Sequence, residues 1–383
     1  TCRCKDKHFL TFRNDFYLSI RFNYLAGNWN DRMQLSKLLI TTLLLSFFAG
    51  CGDTSSEKET PYSFTFETEK KSFSDSDAIS VGLKSTATHR VDSVVYFLNS
   101  NRITASNNLE PVTISLNGSK LGKRVLSAKV HSEEGVFDVT DTVTILASQK
   151  PTLYTYKILE TYPHDALAYT QGLEFENDTL YESTGKRQQS SLRKTDYRTG
   201  DVLKEVALED QYFAEGLTIL NNKIYQLTWQ ANTGFIYNLA SMDRTGSFVY
   251  GKSKEGWGLC NDGTRLYKSD GTERIWILDP ETLSEKDFIE IYTNTSRIPK
   301  VNELEWVDGK IYANVYQQGS IAIVNPSNGA VEGVIDLTDL KDKVTQHPEL
   351  DVLNGIAYKG EENILYITGK NWDKLFKIEI VEK

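Results

Sequence analysis

Between Tyr62 and Leu146 the chain alternates apolar and polar positions in short runs: "SFTFE", "AISVGL", "SVVYFLN", "VTISL", "RVLSAKVH" and "DTVTILA". A period of two places successive side chains on opposite faces of an extended backbone, so each run predicts a strand with one buried face. Turn signals such as "NGS" and "EEG" separate the runs. Strands of this length and spacing predict a two-sheet sandwich of immunoglobulin-like type over residues 62–149. No nucleophile, metal-ligand cluster or glycine-rich phosphate loop stands out there, so a spacer or adhesion module is the expected role. The "ASQK" ahead of Pro151 reads as a linker.

Past Pro151 the pattern becomes a recurrence. A short apolar segment returns five times: "QGLEFENDTLYESTGK" from Gln171, "EGLTILNNKIYQLTW" from Glu215, "WGLCNDGTRLYKSDG" from Trp257, "NELEWVDGKIYANVY" from Asn302 and "NGIAYKGEENILYITGK" from Asn354. Each copy holds a strand, a turn rich in Asn, Asp or Gly, and a second strand; two further strand-like runs follow, as in "SIAIVNP" with "AVEGVIDL". Four strands per unit, roughly forty residues or a little more apart, is the signature of a propeller blade. The prediction is an all-β protein: a five-bladed β-propeller over residues 152–383 behind the sandwich. With 20 Tyr and 17 Phe against 2 Met, composition also favours pleated strands. The last copy ends at "LFKIEI" without an outer strand, and "LYTYKILETYP", ahead of the first copy, has no blade of its own. Pairing the two would close the ring.

The first strand of every blade lines the central channel, so equivalent positions at its mouth converge. The residue before the Gly-Leu pair reads Gln171, Glu215, Trp257, Asn302 and Asn354, with Glu303 replacing Gly in the fourth copy. A second position, where the next strand ends, reads Thr184, Trp229, Asp270, Tyr316 and Lys370. A purely structural place would settle on one residue type. These positions differ, in favour of amides, carboxylates, an ammonium and indoles, as a small-ligand site with aromatic walls requires. Glu215, in "QYFAEGLT", is therefore expected at the channel mouth; walled by Phe213, Trp229 and Trp257 it would be partly desolvated, which raises a carboxyl pKa towards neutrality.

Charge and cysteine usage narrow the classes. A net charge of −9 and a pI near 5.3 leave no basic field for a nucleic-acid backbone. Cys2, Cys4, Cys51 and Cys260 fit neither a disulfide framework nor a zinc pattern, and the five His are scattered, so no metal ligands are assigned. At the start, Met33 opens "MQLSKLLITTLLLSFFAGCGDTSSEKET". Its apolar run has signal-peptide length and ends in "FAGC", which resembles a bacterial lipobox with Cys51 as the lipidated residue. Residues 33–50 are then a signal peptide and residues 51–61 a polar tether to a lipid-anchored, cell-envelope protein. Residues 1–32 are expected to be upstream sequence translated from a misplaced start.

The motifs "YTQGLEF", "FAEGLT", "QLTW", "GWGL", "SDG", "NELEW", "ANVYQ", "LNGIAY" and "TGKNWDKLF", in order from about Tyr162 to Ile380, resemble the glutamine cyclotransferase family, the plant and bacterial glutaminyl cyclases. The resemblance implies a five-bladed propeller and an acyltransferase that converts N-terminal glutamine of peptides into pyroglutamate with loss of ammonia, by chemistry that does not use zinc. A structural calcium near the axis would suit it, although no calcium motif is visible. By the same resemblance Glu215 is the general acid/base, while Gln171, Asn302 and Lys370 bind substrate and stabilise charge. Trp229, Trp257, Phe213 and Tyr169 wall the pocket. Tyr169 stands where Phe is frequent and Tyr316 where Trp is usual, which bears on pocket size. No G-x-S-x-G or Cys-His signature suggests a covalent intermediate. The competing expectation is a non-catalytic propeller that binds peptide ends or small polar ligands.

Overall fold

Residues 60–383, the part that the computed structural model describes, consist of strands and turns with a single short 3-10 helix, Leu340–Lys343. The expectations on residues 1–59, including Cys51, lie outside the described residues.

The first strands form two sheets around one core. Tyr62–Phe66, Ala78–Ser85 and Val112–Ser115 make a three-stranded sheet; Ser72–Ser74, Gly135–Leu146, Gly122–Ser132, Val91–Leu98 and Asn101–Ser106, in that spatial order, make the other. The alternation does its work most plainly in Gly122–Ser132, where Leu126, Ala128 and Val130 point inward between the exposed Lys123, Val125 and Lys129. They share one core with Val81, Ile114 and Tyr96. Two strands escaped the pattern. Ser72–Ser74 is too short to alternate, and Asn101–Ser106 ("NRITAS") is an edge strand with little to bury.

Four blades are built from consecutive strands. The innermost of each are Thr170–Glu176, Ala214–Leu220, Leu259–Asn261 and Val301–Val307. The fifth takes Leu353–Ala357, Ile364–Gly369 and Lys374–Glu382 from the end of the chain, and its outer strand, Thr152–Pro163, from the beginning. That outer strand runs antiparallel to Lys374–Glu382 from Leu375↔Tyr162 to Glu382↔Tyr154. The ring is thus fastened through the two ends of the domain, as the two unassigned segments predicted. Thr152–Pro163 also pairs in parallel with the outer strand of the fourth blade at Gly333, Val334 and Ile335. The five innermost strands touch one another in cyclic order.

The sandwich does not hang on a free linker. Ala147, from "ASQK", is buried and its N–H donates to Thr293 O at 3.2 Å. Tyr292 and Ala330 of the propeller belong to the sandwich core, and the Arg124 guanidinium pairs with Glu290 at 2.8 Å, both side chains 5% exposed.

Candidate active site

Four of the five innermost strands carry the same irregularity at the same place. Register shifts fall between Thr170 and Gly172, Ala214 and Leu217, Val301 and Leu304, and Leu353 and Ile356. Gln171, Glu215, Asn302 and Asn354 lie inside these bulges. A bulge adds a residue on one side of a ladder and re-aims its side chain, which turns each towards the channel mouth. The glycine that follows is required by crowding. A Cβ on Gly172 would stand 2.6 Å from Leu217 N, on Gly216 2.7 Å from Leu259 N, and on Gly258 2.0 Å from Asn302 O. In the fourth blade Glu303 takes that place and its carboxylate accepts from Ile356 N at 3.1 Å.

At this end of the ring the structure brings together all nine residues singled out for the propeller. Tyr169, Gln171, Phe213, Glu215, Trp229, Trp257, Asn302, Tyr316 and Lys370 line one cavity of about 240 Å³. Six come from the starts of innermost strands or the residues just before them; Trp229, Tyr316 and Lys370 directly follow the ends of second strands. The polar groups are deepest: Gln171 is 2% exposed, Glu215 5%, Asn302 2% and Lys370 4%, while the aromatic residues are half-buried. The floor is therefore polar and the walls apolar. Ring contacts join the walls, Tyr169 to Phe213 at 6.1 Å, Phe213 to Trp229 at 5.6 Å and Trp257 to Tyr316 at 5.7 Å. The Lys370 ammonium lies over Tyr169 at 4.8 Å and Tyr316 at 5.3 Å.

The amides on the floor are oriented by a chain of bonds that starts at a backbone carbonyl. Thr170 O can only accept, so Asn354 turns its Nδ2 towards it, at 3.0 Å, and towards Gln171 Oε1 at 3.3 Å. Asn354 Oδ1 then accepts from Asn302 Nδ2 at 2.8 Å. Gln171 is left to donate Nε2 to Glu215 Oε1 at 3.1 Å. On this floor three groups remain unspent: Asn302 Oδ1, which is buried and without a partner, the second oxygen of Glu215, and the Lys370 ammonium, which faces aromatic rings. Asn302 thus offers an acceptor, suited to an amine or amide N–H of a ligand, and its NH₂ is committed to Asn354.

Burial pushes the Glu215 carboxyl well above the ordinary carboxylate range; Lys370 opposes the rise in part and Glu255 adds to it. Burial likewise pulls Lys370 below its usual value, against the opposing pull of Glu215 and Asp351. The cavity therefore holds a carboxyl and an ammonium, both shifted by burial towards their neutral forms, as strongly perturbed groups at functional sites often are.

Three participants were not assigned from sequence. Asn354 stood at a convergent position, and its role as the relay became visible only with the bonds. Asp351 accepts from Tyr169 Oη at 2.6 Å. Glu255 accepts from both Trp229 Nε1 and Trp257 Nε1; its signal was its place two residues before Trp257 in "EGWGL".

Among the described residues no group of three or more His, Cys, Asp or Glu is placed to hold a metal ion. The innermost-strand carboxylates are already engaged: Glu174 accepts from Thr218 Oγ1 at 2.6 Å and Ile219 N at 3.0 Å, and Glu305 from Tyr358 N at 2.8 Å. Burial raises Glu174 to about 8 and lifts Glu303 and Glu305 well above the usual range.

Comparison with known proteins bears on this geometry. A family model described as glutamine cyclotransferase matches residues 133–380. The chain is 40% identical over 227 residues to a glutaminyl-peptide cyclotransferase of Arabidopsis thaliana, covering 58% of this chain and 71% of that protein. The crystal structure of Myxococcus xanthus glutaminyl cyclase superposes with a TM-score of 0.57 at 32% identity, covering 61% of this chain and all of the other.

Proposed function

The chain belongs to the glutamine cyclotransferase family, and from that premise we propose how its cavity works. The protein is a glutaminyl-peptide cyclotransferase: it converts the N-terminal glutamine of a peptide to pyroglutamate and releases ammonia. The observation that carries the reading of the site is the buried Glu215 carboxyl with one oxygen open to a small aromatic-walled cavity. At about 240 Å³ the cavity falls below the range typical of drug-sized ligands, and suits a single terminal residue.

In the proposed mechanism the neutral α-amine of the substrate attacks Cδ of its own side-chain amide, forming the ring C–N bond. Glu215 takes the proton from the attacking nitrogen and delivers it to the leaving nitrogen, so that the C–NH₂ bond breaks with loss of NH₃ and the carboxylate is restored. One group serves both transfers because burial raises its carboxyl pKa, which makes the carboxylate a stronger base and lets the same group return the proton to the leaving nitrogen. Lys370 supports the oxyanion that develops on the amide oxygen, a type of stabilisation worth about 3–4 kcal/mol per donor. Asn302 Oδ1 accepts an N–H of the substrate, and Gln171, fixed by Asn354, holds Glu215 in place. Trp229, Trp257, Phe213, Tyr169 and Tyr316 enclose the methylene chain and hold the amine close to the amide carbon. Such positioning supplies much of the barrier reduction in an intramolecular reaction.

The same reading places the protein on the bacterial cell envelope, anchored by lipid on Cys51; the apolar run after Met33 and "FAGC" support it. The sandwich is read as an immunoglobulin-like module. In support, three strands face five, and Ser72–Ser74 pairs in parallel with the last strand. A protein beginning at Cys51, incubated with Gln-Ala-Ala and assayed for ammonia and a pyroglutamyl product, tests the activity. Release from Gln-Ala-Ala with none from its N-acetylated form is expected. A folded protein that yields no ammonia from any Gln-initiated peptide overturns it, and favours the binding module.

A further inference from the structure

Glu255 lines no part of the cavity and is no member of the proton relay, yet both tryptophan walls depend on it. Trp229 Nε1, from the second blade, and Trp257 Nε1, from the third, each donate to the same oxygen, Glu255 Oε2, at 2.9 Å. An indole N–H in a half-buried wall seeks an acceptor, and one carboxyl oxygen that serves two donors fixes the rings relative to each other.

The segment that presents Glu255 is itself fastened at several points. The ammonium of Lys268, which is fully buried, donates to Glu255 O at 3.0 Å and to Ser253 Oγ at 2.5 Å, and pairs with Glu285 at 3.6 Å. Glu285 accepts from Lys252 N at 2.6 Å and Ser253 N at 3.2 Å. Gly256 closes against Tyr250, whose hydroxyl would stand 2.6 Å from a Cβ at that position and donates to Thr233 O at 2.7 Å. Four bonds and a close contact are thus spent on one loop between blades. A loop with no task but connection needs none of them. A bond across two blades also resists the relative movement of those blades, which is the movement that would widen the cavity.

We propose that Glu255 is a positioning residue of the cyclisation site: its carboxylate clamps Trp229 and Trp257 across the blade junction and thereby sets the width of the pocket that receives the glutamine side chain. The inference rests on the assignment of this cavity as the cyclisation site. Its hydrogen-bond partners are the pair of indoles, and its charge adds to the rise of the Glu215 carboxyl, so it reaches the substrate through those rings and that acid and touches none of it directly.

Three variants separate the clamp from general folding. Glu255→Ala removes the acceptor, Glu255→Gln keeps an acceptor oxygen at the same reach, and Glu255→Asp withdraws it by one methylene. Misplaced walls weaken substrate positioning, so kcat/KM of Glu255→Ala for a Gln-initiated peptide is expected to fall about 10- to 100-fold, mainly through KM. Glu255→Gln is expected to recover most of that loss, and Glu255→Asp little of it. A second readout is independent of turnover. In a ¹⁵N-indole spectrum the Trp229 and Trp257 N–H signals, assigned by Trp→Phe replacement, are expected to shift together in Glu255→Ala and much less in Glu255→Gln, while Trp276 and Trp306 stay in place. A folded Glu255→Ala protein with wild-type KM, or with both indole signals unmoved, overturns the clamp. If the wild type cyclises no peptide, the activity reading fails and the indole spectra still decide whether Glu255 holds the two rings.

Discussion

Arg124→Ala tests whether the sandwich and the propeller fold as one unit. The Arg124 guanidinium bonds Glu290 at 2.8 Å across the junction and donates to Lys120 O at 2.9 Å, to Lys123 O at 2.8 Å and to Leu121 O. Both charged side chains are 5% exposed, so removal of one leaves the other in a poorly solvated place. The remaining partner of Glu290, Arg274 at 3.5 Å, is 42% exposed and offsets little of that cost. Breaking a buried pair from one side costs about 3–5 kcal/mol. For a unit of this size that corresponds to a fall in Tm of about 5–10 °C. The double replacement Arg124→Met with Glu290→Leu removes both charges and is expected to recover most of the loss, because paired burial by itself stabilises little. Thermal melts read by near-UV circular dichroism and by tryptophan fluorescence measure this. Since Tyr292 and Ala330 sit in the sandwich core, both probes are expected to report one transition. Two separated transitions, or an Arg124→Ala protein within about 1 kcal/mol of wild type, would refute the argument.

Other expectations follow from the cavity, the crowded axis and the proposed lipid anchor. Glu215→Gln keeps the oxygen that accepts from Gln171 and removes the base, so ammonia release should fall about 10²- to 10⁴-fold with no loss of Tm. The raised carboxyl pKa means that the folded wild type holds a proton which the unfolded chain gives up. Wild-type stability therefore declines as pH climbs from the ordinary carboxylate range towards the raised value, and the Tm difference in favour of Glu215→Gln should widen over that interval; a constant difference would count against a buried, protonating Glu215. Lys370→Met should lower kcat, whereas Tyr316→Trp should alter chiefly KM; a Lys370→Met enzyme with wild-type kcat would exclude the oxyanion role. Gly258→Ala places a methyl 2.0 Å from Asn302 O and is expected to cost about 3 kcal/mol and to disturb Asn302. Gly246→Ala meets only Ile236 Cδ1 at 3.7 Å and should melt like the wild type; equal melting of the two variants would refute the crowding argument. Palmitate labelling in a bacterial host should mark the wild type and spare Cys51→Ser; equal labelling of both would rule out lipid at that residue.

The recurrence of "GL", a turn and "LY" or "IY" was enough to fix the number of blades, because the first three strands of every blade pair with their sequence neighbours; only the fifth blade draws its outer strand, Thr152–Pro163, from the other end of the domain. The convergent positions were legible for the same reason: one offset in a repeat maps to one place on a ring, and seven of the ten residues at the two offsets line the cavity, while Thr184, Asp270 and Asn354 do not. Strands without a buried face, such as Asn101–Ser106, left no trace in hydropathy. The bulges that aim Gln171, Glu215, Asn302 and Asn354 were equally hidden, since a bulge is a property of two strands and not of one.

By itself, then, the sequence determined the local units, their number and the residue types gathered at the channel mouth, all of which depend on separations shorter than a blade. Tertiary structure alone decided which way each amide faces, because that follows from a chain of bonds beginning at Thr170 O and running through the fifth and fourth blades. It decided that Glu255 serves two blades at once, and that the sandwich is pinned to the propeller through Arg124 and Glu290. Each of these joins residues with no fixed offset in the chain, where hydrogen-bond direction and the cost of burying an unpaired charge, and not periodicity, select the partner.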